Sequence, residues 1–413
     1  MRILHIADLH FGKTVHGVSM LENGDQDAWV DRFLALADEK QPDAVVIAGD
    51  VYDRSAPSGD AVELLSRLLT GLAEKQIPVM MVAGNHDSAQ RLAFARRMLS
   101  RQGLYISRPL FGSEELEHVT LRDAYGPVTF WLMPYVYPAL IAQALGEETA
   151  RDYDGAVRAL LKRQHVDKTA RNVLIAHQNV TAHGAEAARG GSESMVGGVG
   201  QIDYRCFDDF DYVALGHIHA AYAVGRESVR YAGSPLCYHF NETRQARKGP
   251  VLVELGPKGT VDIEVLQIEP LHPMRELRGS LEELRAQELA CSREKEYLRL
   301  VLTDQRLSPE ISAFFDELFR SRGSVLMEKC SEYDPFRENA DAPERSALEQ
   351  KSIRELFGDF YTERSGGDGP AEEDLELLAY AEELSHHADV HGPALTDQIE
   401  KLLAFIARQE AKA

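Results

Sequence analysis

The sequence has few cysteines and no long apolar run. Its four cysteines stand far apart, with no CxxC pair to hold zinc and no density that suggests a disulfide framework. No uninterrupted apolar stretch approaches the roughly 20 residues that cross a bilayer. The first residues reach a charge at Asp8 before the apolar part of a signal peptide could develop. The sequence therefore predicts a cytoplasmic protein with reduced, inert cysteines.

Positive charge is also scarce. The 413 residues include 45 Lys and Arg against 66 Asp and Glu, which gives a formal net charge of −21. This balance argues against a free-standing protein that holds nucleic acid mainly by neutralising phosphates. If nucleic acid is the substrate, bound divalent metals or a partner protein must supply positive charge. The length predicts two or three domains, and the composition is typical of a soluble folded protein.

Residues 1–270 alternate short β-branched runs with amphipathic stretches, which predicts a layered α/β domain. Helices are predicted at 25–39, 58–75 and 88–100, each begun by a residue that can accept hydrogen bonds from free backbone N–H groups. The last three predicted strands lack helices between them and are expected to be antiparallel, so the sheets should be mixed. The strand predictions are 3–7, 44–48, 79–83, 128–133, 173–176, 212–215, 229–232, 251–255 and 261–266.

Two further segments follow. Residues 271–337 alternate strand-like and helix-like runs, and Ser280 with Glu283 fits a capping box, which predicts a small βαβαβ domain. Residues 338–413 are predicted to be a linker and helices. The last helix carries an apolar stripe on an acidic segment, so it is a poor candidate for a DNA arm. This stripe is expected either to fold back on its own chain, which the pattern favours, or to dock on another protein; it consists of Leu395, Ile399, Leu402, Leu403 and Ile406.

Five apolar runs of the first domain each end in side chains that bind metals. Residues just past the ends of strands collect at one edge of a sheet, so side chains far apart in the sequence can form one site. Each motif alone is commonly structural, but five in this order predict a joint function. The runs are RILHIADLH, DAVVIAGDVYD, VMMVAGNHD, NVLIAHQ and YVALGHIH.

The donors in these runs suit a binuclear metal centre. Asp8 and His10 are two residues apart, so an extended backbone would project both side chains to one face. Asp50 has two oxygens and can bridge two ions. Mixed carboxylate, amide and imidazole donors suit Mn²⁺ or Fe²⁺ better than an all-oxygen set would. The predicted ligands are Asp8, His10, Asp50, Asn85, His177, His217 and His219.

The motifs DLH, GDVYD, GNHD, IAH and GHIH resemble those of the calcineurin-like metallophosphoesterases. Longer stretches, including MRILHIADLHFGK, AGDVYDRSAPS and RYAGSPLCYHFNET, resemble bacterial nuclease subunits of the SbcD type over about residues 1–270. Leu9 and Phe11 depart from the expected Trp and Leu, which leaves the metal-type residues unchanged. The resemblance implies a four-layer α/β/β/α sandwich with two mixed sheets, a small capping domain and a C-terminal helical segment.

The resemblance also implies a role for each site residue. One ion would be held by Asp8, His10, Asp50 and His219, and the other by Asp50, Asn85, His177 and His217. His86 would protonate or stabilise the leaving oxygen while Asp87 fixes its ring, and a bridging hydroxide would attack the phosphorus. Mn²⁺ is the first choice of ion, with Mg²⁺ or Fe²⁺ as alternatives. Asp53 either orients a ligand or caps the following helix, and the second interpretation is favoured.

The implied activity is a DNA nuclease, acting as an exonuclease on duplex ends and an endonuclease on hairpin or single-stranded DNA in repair and recombination. The implied partner is a coiled-coil ATPase of the SbcC type, with a homodimer formed through residues 58–100, although those apolar stripes could equally face this chain's own core. The alternative is a stand-alone phosphatase or cyclic-nucleotide phosphodiesterase. The glycine-rich residues 183–201 do not follow a strand and open a helix, so they predict no dinucleotide site.

Overall fold

The computed structural model describes residues 1–110, 115–145, 152–182, 200–244 and 248–333, together with the single residues 358, 362 and 370. Residues 1–333 form one compact unit and residues 334–413 a second. The predicted C-terminal helices and nearly all of the glycine-rich segment lie outside the described residues. Within the described ranges, no helix is long and apolar enough to cross a membrane.

The first sheet has six strands and carries the N-terminus in its middle. Arg2–Ile6 pairs parallel with Ala44–Ala48, which continues parallel to Val79–Val82 and Leu104–Ile106. On its other side Arg2–Ile6 pairs antiparallel with Val251–Leu255. Val261–Val265 then completes this mixed sheet as an antiparallel edge strand.

The second sheet also has six strands. Its centre is Arg171–His177, which pairs parallel with Tyr212–Gly216 on one side and with Gly126–Met133 on the other. Glu117–Asp123 pairs antiparallel with the latter strand and forms one edge. Arg226–Tyr231 pairs parallel with Tyr212–Gly216 and antiparallel with the short edge strand Ala223–Val224.

The two sheets pack face to face, and helices cover their outer faces. Alternate residues of both sheets, such as Val46 and Ile175, form one buried layer between them. Helices Asp25–Lys40 and Gly59–Glu74 bury Phe33 and Leu68 against the first sheet. Helices Pro138–Leu145 and Tyr153–Lys162 cover the second sheet. The predicted four-layer α/β/β/α sandwich with two mixed sheets is confirmed.

Two local predictions are wrong. The predicted helix at 88–100 is broken into Ala89–Leu92 and Arg96–Leu99, because Ala95 adopts the left-handed region with φ of 56°. The run at 229–232, predicted to be antiparallel, belongs to Arg226–Tyr231; this prediction is wrong on one side, where the strand pairs parallel with Tyr212–Gly216, although it pairs antiparallel with Ala223–Val224 on the other. The connection from Tyr212–Gly216 to Arg226–Tyr231 consists of loop and one short strand instead of a helix.

The small domain has the predicted βαβαβ order. Met274–Gly279, Tyr297–Leu302 and Val325–Ser331 form a parallel sheet, and helices Leu281–Leu289 and Pro309–Arg320 connect them. Ser280 and Glu283 form the predicted capping box. The hydroxyl of Tyr297 donates a 2.6 Å hydrogen bond to Asp25, which joins this domain to the start of helix Asp25–Lys40. The boundary at residue 270 stays a prediction.

The remaining elements are short. Thr14–Val15 and Val18–Ser19 form a hairpin after the first strand, and Val180–Thr181 pairs with Ile202–Asp203. Single 3₁₀ turns occupy Ser100–Gln102, Tyr204–Phe207 and Phe240–Arg244. The last of these turns lies beside the site described next.

Candidate metal centre

All seven predicted metal ligands meet at one edge of the sandwich. Asp8, Asp50 and Asn85 follow three neighbouring parallel strands of the first sheet, while His177 and His217 lie at the ends of two neighbouring strands of the second. Because parallel strands end at the same edge, the loops of both sheets face a common space. Three groups of donors within the cluster have ligand atoms that all lie within 4.8 Å of one another: Asp8, His10 and His219; His10, Asp50 and His86; Asp8, Asp50 and His177.

The backbone at this edge is strained, which the sequence did not predict. Asp8, His10 and Asp50 have φ of 52°, 45° and 46°, and His217 has φ of 102°. Residues other than glycine rarely adopt this region, and such strain concentrates at functional sites. The extended backbone that we predicted for Asp8 and His10 is therefore wrong, although both side chains still reach the same cluster.

Two motif glycines allow the loops to approach each other closely. A Cβ on Gly84 would lie 2.1 Å from Asp50 Oδ1, and one on Gly216 would lie 1.9 Å from the carbonyl oxygen of Ala48. Neither contact is possible, so any side chain at these positions would push the strand-end loops apart. The glycines that precede Asn85 and His217 thus permit the convergence of ligands from the two sheets.

One half of the cluster joins His10 to His219. Their Nε2 atoms are 3.1 Å apart, and Nε2 of His10 lies 3.6 Å from Asp50 Oδ2. In the other half, Oδ1 of Asn85 lies 3.1 Å from both Nε2 of His177 and Nδ1 of His217. Asp50 Oδ2 also lies 3.3 Å from Nε2 of His177, so this one carboxylate faces both halves.

The electrostatics favour the metal-binding charge state at His10, His217 and Asp50. Burial lowers the pKa of His10 well below its ordinary value and that of His217 to about 3, which keeps both imidazoles neutral. Burial alone would raise the pKa of Asp50, but the neighbouring His177 outweighs it and lowers this pKa. At two other buried ligands the shifts are opposite: burial raises the pKa of Asp8 to about 6, and although burial would lower that of His177, Asp50 raises it to about 9. Neutral imidazoles and ionised carboxylates are the forms that coordinate divalent ions. Four imidazoles, two carboxylates and one amide, all converging at a buried edge, therefore fit a divalent metal centre.

His86 reaches the cluster but is held differently from the prediction. Its backbone N–H donates to Asp50 Oδ1 at 2.9 Å, and its Nδ1 lies 2.9 Å from the carbonyl oxygen of Asp53. A carbonyl only accepts hydrogen bonds, so Nδ1 is the donor and Nε2 is left for chemistry. Asp87 was predicted to fix this ring; the carbonyl of Asp53 does so instead.

Asp87 and Asp53 organise the loops. The buried carboxylate of Asp87 accepts hydrogen bonds from the backbone N–H groups of Val51, Tyr52 and Gly84, at 3.1, 2.9 and 2.9 Å, and so ties the second motif to the third. The carboxylate of Asp53 pairs with Lys13 at 2.7 Å and lies 3.6 Å from Nδ1 of His10. Ser58 caps the following helix, so the favoured interpretation of Asp53 as a cap is wrong and it faces a ligand instead.

Sequence reasoning missed the residues that hold the ligands from behind. Glu242 is fully buried, and its Oε1 lies 3.2 Å from Nδ1 of His219. Burial would raise the pKa of Glu242, but Lys248 at 2.8 Å and His219 lower it to about 2. A carboxylate behind a histidine fixes the ring and strengthens it as a ligand. The available signal was the YHFNET stretch, which contains Glu242 and carries part of the family resemblance.

Gln26 and Tyr238 hold the loop that carries His10. The amide nitrogen of Gln26 donates to the carbonyl of His10 at 2.8 Å, and its oxygen accepts from the N–H of Gly12 at 2.9 Å. The hydroxyl of Tyr238 donates to the carbonyl of Leu9 at 2.6 Å. These bonds give hydrogen-bond partners to the carbonyls of Leu9 and His10 and to the N–H of Gly12, in the strained loop that follows the first strand. The available signal for Gln26 was a glutamine on the buried face of an amphipathic helix, and that for Tyr238 was the same YHFNET stretch.

Comparisons with known proteins identify the family of the chain. Residues 1–221 match the calcineurin-like phosphoesterase family, and residues 270–365 match the family described as "Type 5 capsule protein repressor C-terminal domain". The chain is 31% identical to a protein of Staphylococcus saprophyticus that is named as the D subunit of the nuclease SbcCD, over 73% of this chain and 78% of that one. A protein of the same name from Staphylococcus epidermidis is 29% identical, over 74% and 79%.

Solved structures are also similar to this chain. One of them is the crystal structure of the protein TT1561 of Thermus thermophilus, which shares 14% sequence identity with this chain at a TM-score of 0.35. The match covers 64% of this chain and 98% of that chain.

Proposed function

Since the chain belongs to the calcineurin-like phosphoesterases, in the branch that includes the SbcD-type nuclease subunits, we propose that it is a metal-dependent nuclease that hydrolyses phosphodiester bonds of DNA. The observation that carries this proposal is the convergence of seven metal-type side chains, six of them buried, with Asp50 facing both halves. We propose that it acts as an exonuclease on duplex ends and as an endonuclease on hairpin or single-stranded DNA.

The ligands divide into two sets in this proposal. Asp8, His10, Asp50 and His219 hold one ion, and Asp50, Asn85, His177 and His217 hold the other. When bound, such ions make water a nucleophile at neutral pH and neutralise charge on the phosphoryl oxygens. Mn²⁺ is the proposed ion because the donor set mixes nitrogen with oxygen; Mg²⁺ and Fe²⁺ are the alternatives.

His86 is the proposed acid in this reaction. Its Nδ1 donates to the carbonyl of Asp53, so in the doubly protonated ring Nε2 is the atom that gives its proton to the leaving oxygen, which leaves a neutral imidazole. The partly buried ring lies against that of His10, with centroids 4.8 Å apart, and this places it at the rim of the metal cluster. Asp87 acts by positioning the loops and touches the backbone rather than the ring.

A partner protein accounts for the unfavourable charge. Because the net charge of the chain is −21, it has few positive charges in excess with which to neutralise DNA phosphates by itself. We propose that a coiled-coil ATPase of the SbcC type supplies much of the DNA grip in the cytoplasm, and that residues 338–413 dock on it. The proposed domain boundaries then lie near residue 270, between the phosphoesterase domain and the small domain, and near residue 337, between the small domain and the docking segment.

The activity is tested with purified protein, Mn²⁺ and four substrates: linear duplex, hairpin and single-stranded DNA, and a small phosphate diester. Each reaction is run with and without the ATPase partner. We expect cleavage of DNA that depends on metal and increases with the partner. Efficient turnover of the small ester with no DNA cleavage under any condition would instead establish a stand-alone phosphatase or cyclic-nucleotide phosphodiesterase.

An exposed apolar patch supports a homodimer. Phe94 and Met98 stand four residues apart, and their exposed fractions of 80% and 72% are the highest among large apolar side chains in the described ranges. Exposed clusters of this kind commonly mark protein interfaces. We propose that two copies of the chain associate through this patch, within a heterotetramer that includes the ATPase.

Replacing Phe94 and Met98 together by Asp should convert a dimer to a monomer, because two new carboxylates on each copy would be desolvated in the interface. The molar mass measured by light scattering is expected to fall by half. Leu289→Asp, which changes a strongly exposed apolar residue of the small domain, is the control and should leave the mass unchanged. A double variant that stays dimeric would place the interface elsewhere.

A further inference from the structure

A small cavity shares a wall with the metal cluster. Its volume is about 190 Å³, and one side is formed by Gly84 and Asp87, which flank the stretch that holds the predicted ligand Asn85. The other sides are mainly apolar or aromatic and include Pro109, Leu110, Pro134, Tyr137 and Ile141. None of the roles assigned so far uses this space.

Tyr135 is the wall between the cavity and the cluster. Its ring centroid lies 6.2 Å from those of His177 and His217, so it contacts ligands held by the second sheet. The same residue lines the cavity. A group bound in the cavity would therefore be separated from His177 and His217 by Tyr135.

Tyr137 offers an aromatic surface at this cavity. The residue is 45% exposed, and its ring meets that of Tyr135 at 4.8 Å with an interplanar angle of 69°. The rings of Tyr135 and Tyr137 therefore pack edge to face. Ser88 and Gln90 add a hydroxyl and an amide to the lining, and these groups can bond to the polar edge of a ring.

The size and chemistry of the cavity suit one planar ring system. Pockets for drug-sized ligands span about 300 to 1,000 Å³. The cavity, at about 190 Å³, is smaller and has room for one ring system rather than a whole ligand of that size. Tyrosine faces stack on every nucleobase because each base has a π face. In a nucleotide the base lies only a sugar away from its phosphate, which matches a cavity adjoining a phosphoryl-transfer site.

We propose that this cavity binds the base of a nucleotide next to the scissile phosphate, stacked on Tyr137. The proposal rests on the proposed nuclease function and deepens it. A base inside a duplex is stacked and paired, so it must leave the helix to enter. The cavity therefore favours substrates that already offer an unpaired base, such as single strands, hairpin loops and frayed ends.

Tyr137→Ala tests the proposal in the full-length protein with Mn²⁺. The substrates are two single-stranded oligonucleotides, identical except that one has abasic residues on both sides of the cleavage site. We expect the variant to lower kcat/KM on the normal strand by roughly 5- to 100-fold, the range typical of losing one base–aromatic stack. On the abasic strand the variant and the wild type should be equal. Tyr137→Phe keeps the ring and should restore most of the activity.

Tyr125→Ala is the matched control, because Tyr125 is 62% exposed on a hairpin of the second sheet and does not line the cavity. It should behave as the wild type on both strands. If Tyr137→Ala lowers activity equally on both strands, or on neither, the base-binding proposal is wrong. If the wild type cleaves neither strand with metal present, the nuclease function itself fails, which is a separate outcome.

Discussion

Asp50→Asn should abolish both metal binding and hydrolysis. Asn has the size of Asp and keeps an oxygen for the backbone N–H of His86, which Asp50 Oδ1 accepts at 2.9 Å. It removes the negative charge that lies 3.6 Å from His10 and 3.3 Å from His177. Since both proposed ion sites share this carboxylate, we expect the bound metal measured by elemental analysis to fall to background. The loss of activity should exceed the roughly 10- to 100-fold that follows from changing a residue behind a ligand.

Asp43→Asn provides the matched control. Asp43 precedes the strand Ala44–Ala48 and Asp50 follows it, so both changes replace a carboxylate near an end of one strand. Asp43 is exposed and its carboxylate accepts a 2.7 Å hydrogen bond from the backbone N–H of Arg2, away from the cluster. Metal content and activity should stay at wild-type levels. Circular dichroism must show that Asp50→Asn is folded; a folded variant with a full complement of metal would contradict the shared role of Asp50.

The layers of the fold could be predicted because burial dictates them locally. The strand Ala44–Ala48 is a run of five buried apolar residues between Asp43 and Gly49, and its predicted limits were correct. The helix predicted at 88–100 failed because tertiary contacts outweigh its propensity. Arg91 donates to the carbonyl of Ser55 at 2.8 Å and Arg96 pairs with Glu117, which ties the two turns to different parts of the molecule.

The site could be predicted as a set of residues but not as a network. The ligands stand directly after strands, so their convergence follows from parallel pairing. The groups behind them are distant in sequence from the atoms they hold: Glu242 is 23 residues from His219, and Asp87 is 36 from Val51. No local spacing encodes such contacts. The same limit explains why Asp53, the last residue of the GDVYD motif, was assigned to the nearest helix when its carboxylate faces His10.

The remaining question about the site is whether His86 binds metal or moves a proton, and His86→Ala separates these roles. Its position is ambiguous, because a ring nitrogen of His86 lies within 4.8 Å of ligand atoms of His10 and Asp50. The hydrogen bond from Nδ1 to the carbonyl of Asp53 favours the proton role, since it orients the ring from outside the cluster. We therefore expect both ions to be retained while cleavage falls by roughly 10²- to 10⁴-fold.

The choice of leaving group sharpens this prediction. A diester with a nitrophenolate leaving group needs little help from an acid, whereas the sugar alkoxide of DNA needs a proton as the P–O bond breaks. The loss in His86→Ala should therefore be large on DNA and small on the activated ester. A loss of one metal equivalent, or equal losses on both substrates, would make His86 a ligand. His118→Ala, which removes an exposed histidine from the edge strand Glu117–Asp123, should change neither rate. Because the two roles predict opposite dependences on the leaving group, the ratio of the two rates distinguishes them even if the variant is partly destabilised.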